Sequence, residues 1–144
     1  MPLIYINYPE GMFPEGAIDA LADDITTAGL ECEGLPNTPF VRSTTWVYAN
    51  EFPAGRVYHG GKPGGTKVIS FEVNIVDGGL DAEAKKKLIA SITDSVRKYA
   101  DIPADERVPA YVLIRDVPAQ DWGLFGVPVV LDDLRNPPDG EKPV

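Results

Sequence analysis

The sequence repeats itself, and that limits the folds open to it. The stretch EFPAGRVYHGG at 51–61 lies over DVPAQDWGLFG at 116–126, with Pro53 and Pro118 65 positions apart. Upstream, LADDITTAGLECEGLP lies over LIASITDSVRKYADIP. Leu21, Ile25, Thr26 and Pro36 there meet Leu88, Ile92, Thr93 and Pro103 at a spacing of 67. The two-residue slip falls in the loop after each helix, where insertions are tolerated. Two blocks in the same order point to an ancient duplication, so the fold must be buildable from two copies of one module.

Each copy reads strand, helix, strand. LIYINY is rich in β-branched and aromatic residues and ends at the turn signal YPEG. A helix is predicted from about Glu15 to Glu31, with Ile18, Leu21, Ala22, Ile25 and Ala28 on one stripe and GLPNTP stopping it. A second strand is predicted over about Val41 to Phe52. In the second copy TKVISFEVNIV is a strand and Asp81 an N-cap. The next helix turns Ala84, Leu88, Ile92, Val96 and Tyr99 inward. AYVLIRDV returns as a strand, and VPVVL adds a short one. The units are therefore 2–59 and 67–131, joined by a Gly/Pro linker at 60–66 and followed by a tail at 132–144, whose RNPPDGEKPV end at 135–144 lacks an apolar stripe and is expected to trail, disordered or lying on a neighbour. A strand–helix–strand unit puts its two strands parallel by a right-handed crossover. Two units predict an α+β fold: tandem β-α-β units forming a four-stranded mixed sheet with both helices on one face. The other face, left bare, predicts association.

Composition narrows the partners. A net charge of −9 argues against nucleic acid and anionic membranes. With Cys32 as the single cysteine there is no intrachain disulfide, which fits a cytoplasmic setting. Cys32 sits late in a helix with one histidine in the chain to activate it, so a structural role is expected. No apolar run approaches the ~18 residues of a spanning helix, and MPLIYINYPEG lacks the basic-then-apolar start of a signal peptide. No His, Cys or carboxylate cluster has metal-ligand spacing, GGKPGG lacks the lysine and Ser/Thr spacing of a phosphate loop, and no cofactor is implied.

The amino terminus raises a chemical question. Pro2 is tolerated at a strand head, but removal of Met1 would also expose it as a secondary amine. An ordinary α-amine has a pKa near 8, and an apolar pocket disfavours its charged form. A value close to neutral suits a general base. A neutral Pro2 would move a proton between oxygen and carbon of an enol; a protonated Pro2 would give a proton to carbon after water attacks an unsaturated acid.

Pro2 behind Met1, two β-α-β units, and a glycine-rich hairpin after each second strand resemble the tautomerase superfamily. PAG at 53–55, GG at 60–61 and 64–65, ITD at 92–94 and PAQ at 118–120 with Gly126 beyond it resemble the cis-3-chloroacrylic acid dehalogenase group of fused members. The resemblance spans about residues 2 to 130. It implies a homotrimer, a small-molecule substrate and an amino-terminal proline as catalytic residue. It also implies helpers that this chain lacks. The family's helix histidine falls near Gly29, its two arginines on Asp77 and Leu80, its tyrosine on Leu113 and its glutamate on Leu124. An arginine pair binds a carboxylate bidentately, which Asp77 and Leu80 cannot. Dehalogenation and malonate semialdehyde decarboxylase-like chemistry are therefore disfavoured, and keto–enol tautomerisation, which needs one proton carrier and an oriented carbonyl, is favoured.

The remaining candidates are Arg42, Arg115 and Trp122 for substrate binding and Asp121 for activating water. Each has a plainer reading: a solvated arginine, an Arg115–Asp116 ion pair, packing for Trp122 and Phe125, and a turn cap for Asp121. His59 reads as an exposed or interface hairpin residue. A chain that keeps Met1 would instead be a non-catalytic trimeric member of the fold, and a tailoring enzyme with a rebuilt apolar pocket is the third reading.

Overall fold

The computed structural model describes residues 1–64 and 67–144. A four-stranded sheet carries the fold, built from β1 (Leu3–Pro9), β2 (Trp46–Phe52), β5 (Ile69–Val76) and β6 (Ala110–Val117) in the order β2-β1-β5-β6. Each unit pairs its own two strands in parallel, Leu3 opposite Trp46 and Ile69 opposite Ala110. The units meet through an antiparallel β1–β5 pair with Ile6 opposite Phe71. The sheet is mixed, as the fold class expected.

Helices α1 (Ala17–Glu33) and α3 (Ala82–Tyr99) pack on each other and on one face of the sheet. Alternation along the strands sends Ile4, Ile6, Phe71 and Val73 beneath them, where they join Leu21, Ile25, Leu88 and Ile92 in one core. Gly34 ends α1 in the left-handed conformation that glycine adopts without steric cost. Asp81 caps α3, accepting the Ala84 amide at 2.8 Å. A polar tie joins the helices: Asp24 accepts from the Tyr99 hydroxyl at 2.8 Å and from Lys98 at 3.2 Å. The tyrosine hydrogen bond is the largest of the effects that lower the Asp24 pKa below its ordinary 3.8. A depressed carboxylate contributes stability above the unfolded value and loses it as pH falls through the folded one. In Tyr99→Phe the Asp24 pKa is expected to rise toward 3.8, as read by carboxyl NMR titration.

The duplication is visible in the hydrogen bonds. The amides of Arg56 and Asp121, at equivalent places in the repeat, donate to Pro53 and Pro118 at the same 2.8 Å, and a 3₁₀ turn follows each proline. Two-residue hairpins come next, β3 (Tyr58–His59) with β4 (Lys62–Pro63) and β7 (Gly123–Leu124) with β8 (Val127–Pro128). Their turns have positive φ at both central residues, Gly60–Gly61 and Phe125–Gly126, which matches the strand twist.

Four expectations need adjustment. Helix α1 begins at Ala17, after Gly16. The second strand starts at Trp46, because Thr38 caps and Pro39 begins a short helix α2 (Pro39–Ser43) over its predicted head. The predicted linker at 60–66 is a hairpin arm through Gly64, and its residues 65–66 lie outside those described. The tail at 132–144 starts inside a helix: Leu131–Arg135 form α4, Leu134 is buried with Met1, Leu30, Val41 and Val129, and only the residues beyond Arg135 lack helix or strand. The apolar pair Val130 and Leu134, one turn apart, was the signal. Leu134→Ala is expected to destabilise the chain by about 2–3 kcal/mol, measured by denaturant unfolding.

The open sheet face is also less apolar than expected. Tyr5 stacks on Tyr48 with centroids 5.3 Å apart, while Asn50 donates to Asn7 at 3.0 Å and Arg115 pairs with Glu72 at 2.6 Å. Rings and satisfied polar groups share the surface.

Candidate active site

Met1 and Pro2 are buried, just ahead of the strand they introduce. The Pro2 carbonyl accepts the Trp46 amide at 3.3 Å, tying the terminus to β2. On its other side Pro2 lies against α1, with its Cγ only 3.0 Å from where a Cβ at Gly29 would stand. Gly29 is thus explained by close approach: a side chain there would displace the proline ring. Glu33 follows one turn later on the same helix face. Its Oε2 receives the Met1 ammonium in a buried ion pair. Its Oε1 is buried with no hydrogen-bond partner among the described residues, and a Cβ at Gly79 would stand 2.9 Å from it.

The Met1 side chain is 1% exposed and fills an apolar space among Leu30, Leu35, Val41 and Val129. Burial pushes its ammonium below the ordinary 8.0, against the raising effect of Glu33. For an amine so depressed, the unfolded chain binds more protons between the folded value and 8.0. The terminal contribution of a Met1-bearing chain therefore becomes more favourable as pH rises through that window and levels off above it. Melting temperatures measured across that range, with and without Met1, are expected to differ in this sense.

Beside Met1 a cavity of about 130 Å³ is walled by Trp46, Trp122 and Leu124. It shares Leu3, Trp122 and Gly123 with an outer cleft of about 480 Å³ on the open sheet face. That cleft also holds Arg115, Glu72 and Asp121. Three sequence candidates, Arg115, Asp121 and Trp122, thus line one cleft that adjoins the terminus. Arg115 bonds Glu72 across the sheet, whereas Asp116, its expected partner, bonds Lys85 at 2.5 Å. Arg42 is elsewhere: it lies on α2, lines a separate cavity, and its guanidinium is held by Asp23 at 2.5 Å, Thr27 at 2.9 Å and Asn37 at 3.3 Å. Burial raises the Cys32 thiol above its ordinary 9.0, the opposite of activation. His59 is exposed on its hairpin. Among the described residues no cluster could hold a metal ion, and no helix is long and apolar enough to cross a membrane.

Residues 71–131 match the family model for tautomerase enzymes. That match lies within the second β-α-β unit and covers less than half of the chain. Over 88% of its length the chain shares the fold of structures described as fused 4-OT. It superposes on a fused 4-OT described as an asymmetric trimer with a TM-score of 0.72, at 22% identity over 88% of this chain and 94% of that one. A protein named Pt0534, solved after inactivation by 2-oxo-3-pentynoate, gives 0.73 at 21% identity over 88% and 94%. N1, a member of the cis-3-chloroacrylic acid dehalogenase family, gives 0.73 at 20% identity over 89% and 83%. No curated protein matches by sequence. The resemblance read from the motifs is met in both the domain and the fold.

Glu33 is the residue that sequence reasoning passed over. Its signal was present, since Leu21, Ile25, Gly29 and Glu33 recur every four residues and the series ends on a charge. In the repeat, Pro2, Gly29 and Glu33 correspond to Ile69, Val96 and Ala100, all apolar. The tautomerase fold here carries its ionic terminus once per chain.

Proposed function

We propose that this chain is a tautomerase-superfamily enzyme in which Pro2, freed by removal of Met1, is the general base or acid for keto–enol proton transfer on a small carbonyl compound. The observation that carries the proposal is the enclosure of the terminus. Met1 occupies a buried apolar space beside Pro2 and next to an open cavity. Its removal would leave a secondary amine facing the space that the Met1 side chain fills, where burial disfavours its charged form and the Glu33 carboxylate favours it. Trp122 walls that cavity, and in the outer cleft Arg115, which pairs with Glu72, supplies a donor for a carbonyl oxygen while Asp121 supplies an acceptor for a water. Neighbours described as trimers, together with an exposed sheet face of rings and polar pairs, support a homotrimer that would enclose the cleft further.

The Met1–Glu33 ion pair favours one second reading, a Met1-bearing scaffold without a base. Intact mass separates the two. A chain lacking the methionine mass that accelerates α-deuterium exchange of phenylacetone, an uncharged ketone, supports the enzyme. A chain retaining methionine, inert in the same assay, supports the scaffold.

A further inference from the structure

The wall behind Pro2 is anionic, and that bears on what the site accepts. Glu33 is 2% exposed, and its sole ionic partner among the described residues is the chain terminus. Its second oxygen has no donor among the described residues, and Gly79 leaves room for it. Loss of Met1 moves the terminus one residue, about 3.5 Å along the chain, onto a proline that lies over the same Gly29–Glu33 stripe. A buried carboxylate left without a cation is strongly unfavourable, so the Pro2 ammonium is the natural replacement. The space opened around the pair is bounded by Leu30, Val41 and Val129. At the two places where the resemblance expects arginines stand Asp77 and Leu80, and Leu80 is 5% exposed.

We propose that Glu33 is the second proton carrier of a Pro2–Glu33 pair, and that the site takes uncharged enolisable ketones or aldehydes rather than carboxylates. This rests on the reading of Pro2 as a freed amine. In the ketonising direction, the enol O–H bond breaks as its proton passes to the Glu33 carboxylate, and that electron pair completes the C=O bond. The C=C pair takes the proton of the Pro2 ammonium and becomes the new C–H bond. Glu33, now an acid, returns its proton to the Pro2 nitrogen, so both groups end as they began. A substrate carboxylate would place a second anion beside Glu33 in a low-dielectric space, and Arg115 in the adjoining cleft is already paired with Glu72.

The test compares wild type with Glu33→Gln. Two ynones probe the amine, uncharged 3-butyn-2-one and anionic 2-oxo-3-pentynoate, each rate divided by its rate with free proline. Enolisation of uncharged phenylacetone is followed by α-deuterium exchange. Glu33→Gln is expected to slow exchange ~100-fold while Pro2 is still labelled, and to raise the anionic-to-neutral labelling ratio roughly tenfold. Labelled Pro2 with an unchanged ratio, or unchanged exchange, overturns the role of Glu33 alone. If the variant does not fold, wild type decides: a normalised preference for the anionic ynone overturns the proposal, and the reverse preference supports it. Absence of any Pro2 adduct in wild type overturns the freed-amine reading and this proposal with it.

Discussion

Pro2→Ala is expected to leave the melting transition nearly unchanged and to cost roughly 10²–10⁴-fold in ketonisation rate, the range typical of a lost acid–base group. The substitution keeps an α-amine, so the loss isolates what the ring supplies. The ring lies on Gly29, 3.0 Å from where a Cβ would be, and its carbonyl is held by the Trp46 amide. These contacts fix the direction of the nitrogen. An alanine amine has no ring against α1, rotates freely and admits water to the void. Steady-state rates on mass-verified protein check this. Activity within a factor of about two of wild type would reduce Pro2 to a strand start, the plainer role open to a proline at that place.

The largest stability effect is expected at Phe71. It is fully buried in β5, a central strand, paired across to Ile6 on one side and Val112 on the other. It packs in the core shared with Leu21, Ile25, Leu88 and Ile92 of both helices. Because β5 joins the two units through the single antiparallel pair, a hole at Phe71 loosens both at once. Phe71→Ala is expected to cost about 3–5 kcal/mol by lost transfer energy plus cavity. For a chain of this size that lowers the melting temperature by roughly 6–20 °C. Calorimetry reads it directly, and a loss under about 1 kcal/mol would mean the junction between the units is not where stability resides.

The architecture was legible because it is periodic. Leu88, Ile92 and Val96 recur at helical spacing, Ile69, Phe71, Val73 and Ile75 at strand spacing, and the Pro53/Pro118 match marks the two equivalent hairpins. Local chemistry sufficed for the Asp81 cap. Three features were less accessible. Thr38-Pro39 reads equally as a turn or as a helix start, and the structure adopts the helix. Leu134 acquires its meaning only from a cavity floored by Met1, Leu30 and Val41, residues about a hundred positions away. Arg42 was placed on a strand by its neighbours, whereas its guanidinium is spent on Asp23, Thr27 and Asn37 across from α1. The site partner Glu33 shows the same limit from the other side. A charged residue at a helix end is ordinarily a solvated one, and only the chain terminus folding back onto it makes it a buried ion pair.

The account depends on the state of one nitrogen. The most direct test is to treat purified chain with uncharged 3-butyn-2-one and map the adduct by peptide mass spectrometry. The account predicts an amino-terminal peptide that begins at Pro2 and carries the label on its nitrogen. A peptide that begins at Met1 and stays unlabelled, or a label confined to Cys32 or a lysine, would contradict it.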